Sequence, residues 1–127
     1  ARLYGSGENP ISWVAFKDVA QFAVQSLDNP AAQNATLELG GPEALSPLKV
    51  VEIFEEVGGR PFEVEHVPEE ALADQRKATT DPMQLSIAGL VQWYAKGDPV
   101  DMGETLKTFP VQLTSVRDYA QSVLAAS

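Results

Sequence analysis

The sequence predicts a small α/β to α+β domain of two or three short strands and about five helices. Three observations carry this reading. Nine glycines and nine prolines cut the chain into short elements. Apolar residues recur at helical spacing in some segments and alternate in a few shorter ones. The chain has 127 residues, 44% of them apolar, which suits a single domain over 1–127 with its own core.

The elements follow in order. Tyr4-Gly5-Ser6-Gly7-Glu8-Asn9-Pro10 reads as a turn, and residues 11–16 as a short extended segment. Asp18 is suited to cap a helix over 18–27, with Val19, Phe22, Ala23 and Ser26 on one face. Asp28-Asn29-Pro30 stops it. Residues 35–39 alternate and end at Gly40-Gly41-Pro42, the pattern of a strand and a turn.

Ser46-Pro47 opens the next helix, with Ser as the N-cap and Pro in the first turn. Its apolar positions are Leu48, Val50, Val51, Phe54 and Val57, and Gly58-Gly59 ends it. Phe62, Val64 and His66 alternate with Glu63 and Glu65, which predicts another strand. Pro68-Glu69-Glu70 begins a short helix, its acids facing the positive end of the dipole. Asp81-Pro82-Met83-Gln84 starts a longer one with a capping-box pattern, running to Tyr94 before Gly97-Asp98-Pro99. Residues 103–110 read as a connector, and Thr114 as the cap of a final helix through Leu124. So few short strands cannot make a substantial sheet alone. They are better explained as completing a sheet supplied by something else.

Composition excludes several functions. There is no cysteine, hence no disulfide framework, thiolate metal site or Cys nucleophile. The 18 acids against 9 Lys and Arg give a net charge of −9, which argues against a nucleic-acid surface. No apolar run approaches a membrane span, and the N-terminus lacks a signal-peptide core. A cytoplasmic protein is the default expectation.

Three blocks carry a family resemblance. Ile11-Ser12-Trp13-Val14-Ala15-Phe16-Lys17-Asp18-Val19-Ala20 resembles a strand followed by Asp-Val-Ala at a helix start. Leu37-Glu38-Leu39-Gly40-Gly41-Pro42, leading to Ser46, resembles a late Rossmann strand with its Gly-Gly-Pro turn. Phe54 to Pro61 resembles the helix end before the next strand. In this order they resemble the C-terminal part of the NmrA-like group of extended or atypical short-chain dehydrogenase/reductases. The similarity covers most of 2–66 and weakens afterwards. Lys49 stands where the family often places a capping-box Glu.

The resemblance implies the substrate-side lobe of an NAD(P)-binding oxidoreductase or redox sensor. Hydride transfer to a small molecule would need the other half. The family's Gly-x-x-Gly-x-x-Gly loop has no match. Gly5-Ser6-Gly7 is followed by Pro10 and a strand rather than a helix. No cofactor site and no catalytic residue are therefore expected in this chain, with NAD(P) implied for the complete protein.

Most reactive side chains also have a plain structural reading. Tyr94 and Lys96 are two apart and cannot share a helix face. His66 is the lone histidine and suits a general base, but a packed or edge residue is the simpler reading. Residues 43–81 hold ten acids against four bases, which reads as a solvated face. The resemblance places Trp13 and Phe16 beside the substrate pocket and makes Met83, Leu90, Trp93 and Tyr94 its roof. Ordinary core is the alternative for the last four, and packing against a neighbouring sheet is the alternative for Trp13 and Phe16. If the cofactor half is absent, apolar surface is left exposed, which predicts a homodimer or another partner. Two further readings stand beside the lobe: a free-standing interaction module, and a small enzyme built on His66.

Overall fold

A computed structural model describes residues 1–126. In chain order the elements are β1 (Arg2–Tyr4), β2 (Ile11–Ser12), α1 (Phe16–Asp28), β3 (Ala44–Leu45), α2 (Pro47–Gly58), β4 (Glu65–Val67), α3 (Glu69–Ala78), α4 (Pro82–Ala95), α5 (Gly103–Thr108) and α6 (Val116–Ala125). A single 3-10 turn covers Pro30–Ala32. The result is the expected mixture of helices with a few short strands.

The strands form two separate ladders. β1 pairs in parallel with β4, with Leu3 opposite His66. β2 pairs antiparallel with β3, with Ile11 opposite Leu45. Asp98 adds a parallel bridge to Ile11. Two packed groups form the core. Phe22, Met102, Phe109 and Val111 join α1 to the chain after α4. Ile53, Val116 and Ala120 join α2 to α6.

Local chemistry explains the helices that match expectation. Ser46 Oγ accepts from Lys49 N at 3.2 Å, Pro47 sits in the first turn, and Gly59 closes α2 at φ 65°. Asp81 caps α4 by accepting from Met83 N at 2.9 Å. Gln84 does not complete a capping box; its Oε1 accepts from Thr79 Oγ1 instead.

Four expectations are corrected. Residues 35–39 form no strand. Leu37 and Leu39 pack against the Phe22 core while Thr36 and Glu38 face outward. The alternation encodes two faces, but a strand also needs a neighbour for its backbone. Among the described residues, no backbone hydrogen bond reaches Thr36, Leu37, Glu38 or Leu39.

The other three corrections concern two helix starts and one further helix. α1 begins at Phe16 with Ala15 as an unassisted cap. Asp18 lies inside the first turn, where it and Phe22 are buried, while Ala23 is exposed. Thr114 does not cap α6; Ser115 does, accepting from Asp118 N at 3.0 Å. Thr114 instead donates to Asp18 through its backbone N at 2.6 Å and its Oγ1 at 2.9 Å. The supposed connector contains α5, whose start is held by Gly103 N donating to Asp101 Oδ1 at 2.9 Å.

An exposed ion pair also ties α6 to α2. Arg117 donates to Glu56, and its hydrogen bond and charge hold the Glu56 carboxyl below its usual range. A carboxyl lowered by folding stabilises the folded state above its unfolded pKa. That contribution is lost as pH falls through the folded value. Glu56→Gln is therefore expected to melt slightly below wild type at pH 7. The two thermal melts are expected to converge once pH drops below the carboxylate range. A gap that stays constant with pH would assign the effect to packing instead.

Candidate functional site

A cleft of about 540 Å³ lies between β1, residues 11–16 and the C-terminal half of α4. Its lining is mostly apolar and includes Tyr4, Trp13, Phe16 and Tyr94. Each wall has a local cause. In β1 the alternation buries Leu3 and leaves Tyr4 on the accessible side. Trp13 follows β2 directly, and its Nε1 donates to Leu45 O at 2.9 Å, which fixes the indole. Tyr94 sits in the last turn of α4. That turn is anchored by Asn9 Nδ2 donating to Ala95 O at 2.7 Å.

Gly97 makes the next reversal possible. Its φ is 89°, and a Cβ there would lie 2.9 Å from Pro10 O. The chain then runs back beside β2. Asp98 N donates to Pro10 O at 2.9 Å, and Ser12 N donates to Asp98 O at 3.1 Å. Val100 N donates to the buried Ser12 Oγ at 2.8 Å. One side of the cleft is thus stitched to the other by hydrogen bonds of the main chain.

Two charged residues line the cleft, Arg2 and Asp98. The Arg2 guanidinium is paired with Glu65 at 3.0 Å, which raises its pKa. Asp98 brings the lining's single carboxylate.

Of the six residues singled out from the sequence, Trp13, Phe16 and Tyr94 line this cleft. Met83, Leu90 and Trp93 lie elsewhere on α4, with Trp93 60% exposed. α4 is apolar nearly all round, so its pattern does not tell one face from another. Tyr4 and Asp98 escape a reading of the sequence. Tyr4 ends a strand only three residues long, and Asp98 sits in what reads as a helix stop.

The other candidates fall outside. His66 is exposed, and its Nδ1 lies 3.3 Å from Gly5 O, to which it donates when protonated there. Among the described residues, no three His, Asp or Glu side chains gather as metal ligands. No helix among them is long and apolar enough to cross a membrane.

The space at Gly7 is taken by Leu3 and Leu48, and that at Gly5 by Ala95 and the Glu69 carboxylate. The outer side of α1 is open and apolar. Phe16 is 94% exposed and Leu27 82%, with Val24 also outward.

Comparisons with known proteins match this architecture. A family model described as the NmrA-like family matches residues 5–120. An NAD(P)H azoreductase from Xenophilus azovorans is 30% identical over 104 residues, covering 82% of this chain and 36% of that protein. An isoflavone reductase homolog from Zea mays is 27% identical over 133 residues, covering 98% of this chain and 43% of its own length. A crystal structure of an isoflavone reductase superposes with a TM-score of 0.72 at 19% identity, covering 97% of this chain and 43% of that one. The chain thus spans less than half the length of these relatives.

Proposed function

Because the chain belongs to the NmrA-like family, we propose that it is the substrate-binding lobe of an NAD(P)-dependent reductase. The observation that carries this reading is the aromatic-lined cleft. Tyr4, Trp13 and Tyr94 bring three aromatic rings to its lining, and a fixed Trp13 costs little ordering entropy on binding. An isoflavone, the molecule in the names of two relatives, is an aromatic compound of the kind such a cleft suits. The reading therefore takes a small aromatic compound as substrate.

In the complete protein NAD(P)H would supply a hydride, bound by the part of the relatives' length that this chain does not span. The lobe's work is to bind, orient and shield the substrate. Two surfaces suit contact with that other half. One is the outer stripe of α1, which begins at Phe16 on the rim of the cleft. The other is residues 36–39, whose backbone is available to pair with a strand.

Calorimetric titration with 2-methoxynaphthalene tests the cleft. Saturable binding is expected, with Trp13→Ala and Tyr94→Ala each weakening it about fivefold to tenfold. No binding at millimolar ligand, or binding that ignores both substitutions, would sink the reading. A second reading, an interaction module that dimerises, is favoured by the exposure of Leu27 and Phe16 alone. A dimer in sedimentation that Leu27→Glu dissociates would decide for it.

A further inference from the structure

We propose that Asp98 is the specificity-determining acceptor of the cleft: it receives a hydrogen bond from a hydroxyl on the aromatic ligand. The cleft then selects phenols over their methyl ethers and over aromatic carboxylates. This rests on the reading of the cleft as a substrate site.

Several aspartates elsewhere are committed to structure. Asp18 holds Thr114, Asp81 caps α4, Asp101 holds the start of α5, and Asp118 accepts from Ser115 Oγ at 2.7 Å. Among the described residues, the Asp98 side chain has no hydrogen bond or ion pair, although its backbone is bonded on both sides. A structural aspartate would be expected to show the opposite pattern. Asp98 combines a fixed main chain with an unengaged carboxylate beside an apolar, aromatic surface. The other charge in the lining, Arg2, is already neutralised by Glu65 and leaves Asp98 uncompensated.

A carboxylate in that setting favours a donor. A phenol offers a short, charge-assisted O–H···O⁻ bond. A methyl ether of the same ring has no proton to give, and a carboxylate brings like charge. Asp98 follows Tyr94 by four residues, and both line the cleft.

The test uses three probes of one ring size: 2-naphthol, 2-methoxynaphthalene and 2-naphthoate. Each is titrated calorimetrically into wild type, Asp98→Ala and Asp98→Asn, with circular dichroism to check the fold. Wild type is expected to bind 2-naphthol roughly tenfold more tightly than the ether. Asp98→Ala is expected to abolish that preference by weakening 2-naphthol alone, leaving the ether unchanged. Asp98→Asn keeps an acceptor oxygen and is expected to retain part of the preference, while 2-naphthoate binds better than to wild type. Should the alanine variant fail to fold, the asparagine variant reads the same preference with a near-isosteric side chain.

Equal binding of naphthol and ether to wild type would overturn the role of Asp98 and leave the cleft reading standing. So would a preference that survives in full in both variants. Failure of both neutral probes to bind would overturn the cleft reading itself, and this inference with it.

Discussion

Gly41→Ala is expected to lower the melting temperature by roughly 10 °C or more, corresponding to a loss of about 3 kcal/mol. Gly41 is buried, and a Cβ placed on it would overlap the carbonyl oxygen of Trp13. That neighbour is backbone rather than the tip of a flexible side chain. It belongs to the segment that continues β2 into α1. Relief requires moving either this segment or the chain entering β3, and the two are joined by the short β2–β3 ladder. Gly89→Ala is the natural control. Gly89 lies within α4, and a methyl group there would meet nothing within 4 Å. Alanine is therefore expected to add about 0.5–1 kcal/mol through helix propensity. Thermal melts of both variants by circular dichroism give the comparison. A Gly41→Ala melt within about 2 °C of wild type would show that the Trp13 carbonyl moves aside freely.

Asp18→Ala is expected to destabilise the fold by about 2–4 kcal/mol. Asp18 is fully buried, and its two oxygens accept from the backbone N and the Oγ1 of Thr114. Removing it strands a donor pair and leaves space in a packed region. Asp18→Asn keeps one acceptor, and the Thr114 hydroxyl can rotate to accept from the new amide, so about half the loss is expected to be recovered. Thr114→Val removes the partner hydroxyl alone. In a denaturant double-mutant cycle, Asp18→Ala and Thr114→Val are expected to be strongly non-additive. Full additivity would mean that the Thr114 hydroxyl is incidental, and that Asp18 acts through packing and the backbone N of Thr114.

Residues whose instructions are local are legible in the sequence. Ser46, Pro47 and Gly59 define α2, and Asp81 with Pro82 defines the start of α4. These motifs act within a turn or two, so a linear reading captures them. Asp18 is legible as important but not for its role. It looks like a cap, yet its partner Thr114 lies 96 residues away. Ser115, the true cap of α6, is hidden for a different reason: Thr114 next to it has equally suitable chemistry. Ile53, the buried residue of α2, does not stand out beside its more periodic neighbours. Residues 35–39 show the converse. Their alternation is real and sorts Leu37 and Leu39 inward, but pairing depends on a neighbour that the pattern cannot name. In the cleft, Trp13 and Phe16 come to light through the motif that contains them. Tyr4 and Asp98 belong to it only because the chain folds back twice.

The far-flung pairing of the first eighteen residues bears on how the chain comes off the ribosome. Leu3 waits for His66, Ile11 for Leu45 and Asp98, and Asp18 for Thr114. α1 can coil as soon as it emerges, but Phe22 finds Met102, Phe109 and Val111 only once residues 102–111 have been made. At ordinary elongation rates that interval is on the order of ten seconds. Through it, α1 has both faces uncovered, Phe22 on one side and Phe16 and Leu27 on the other. The exposure of Phe22 therefore falls during translation, and ends only when residues 102–111 arrive.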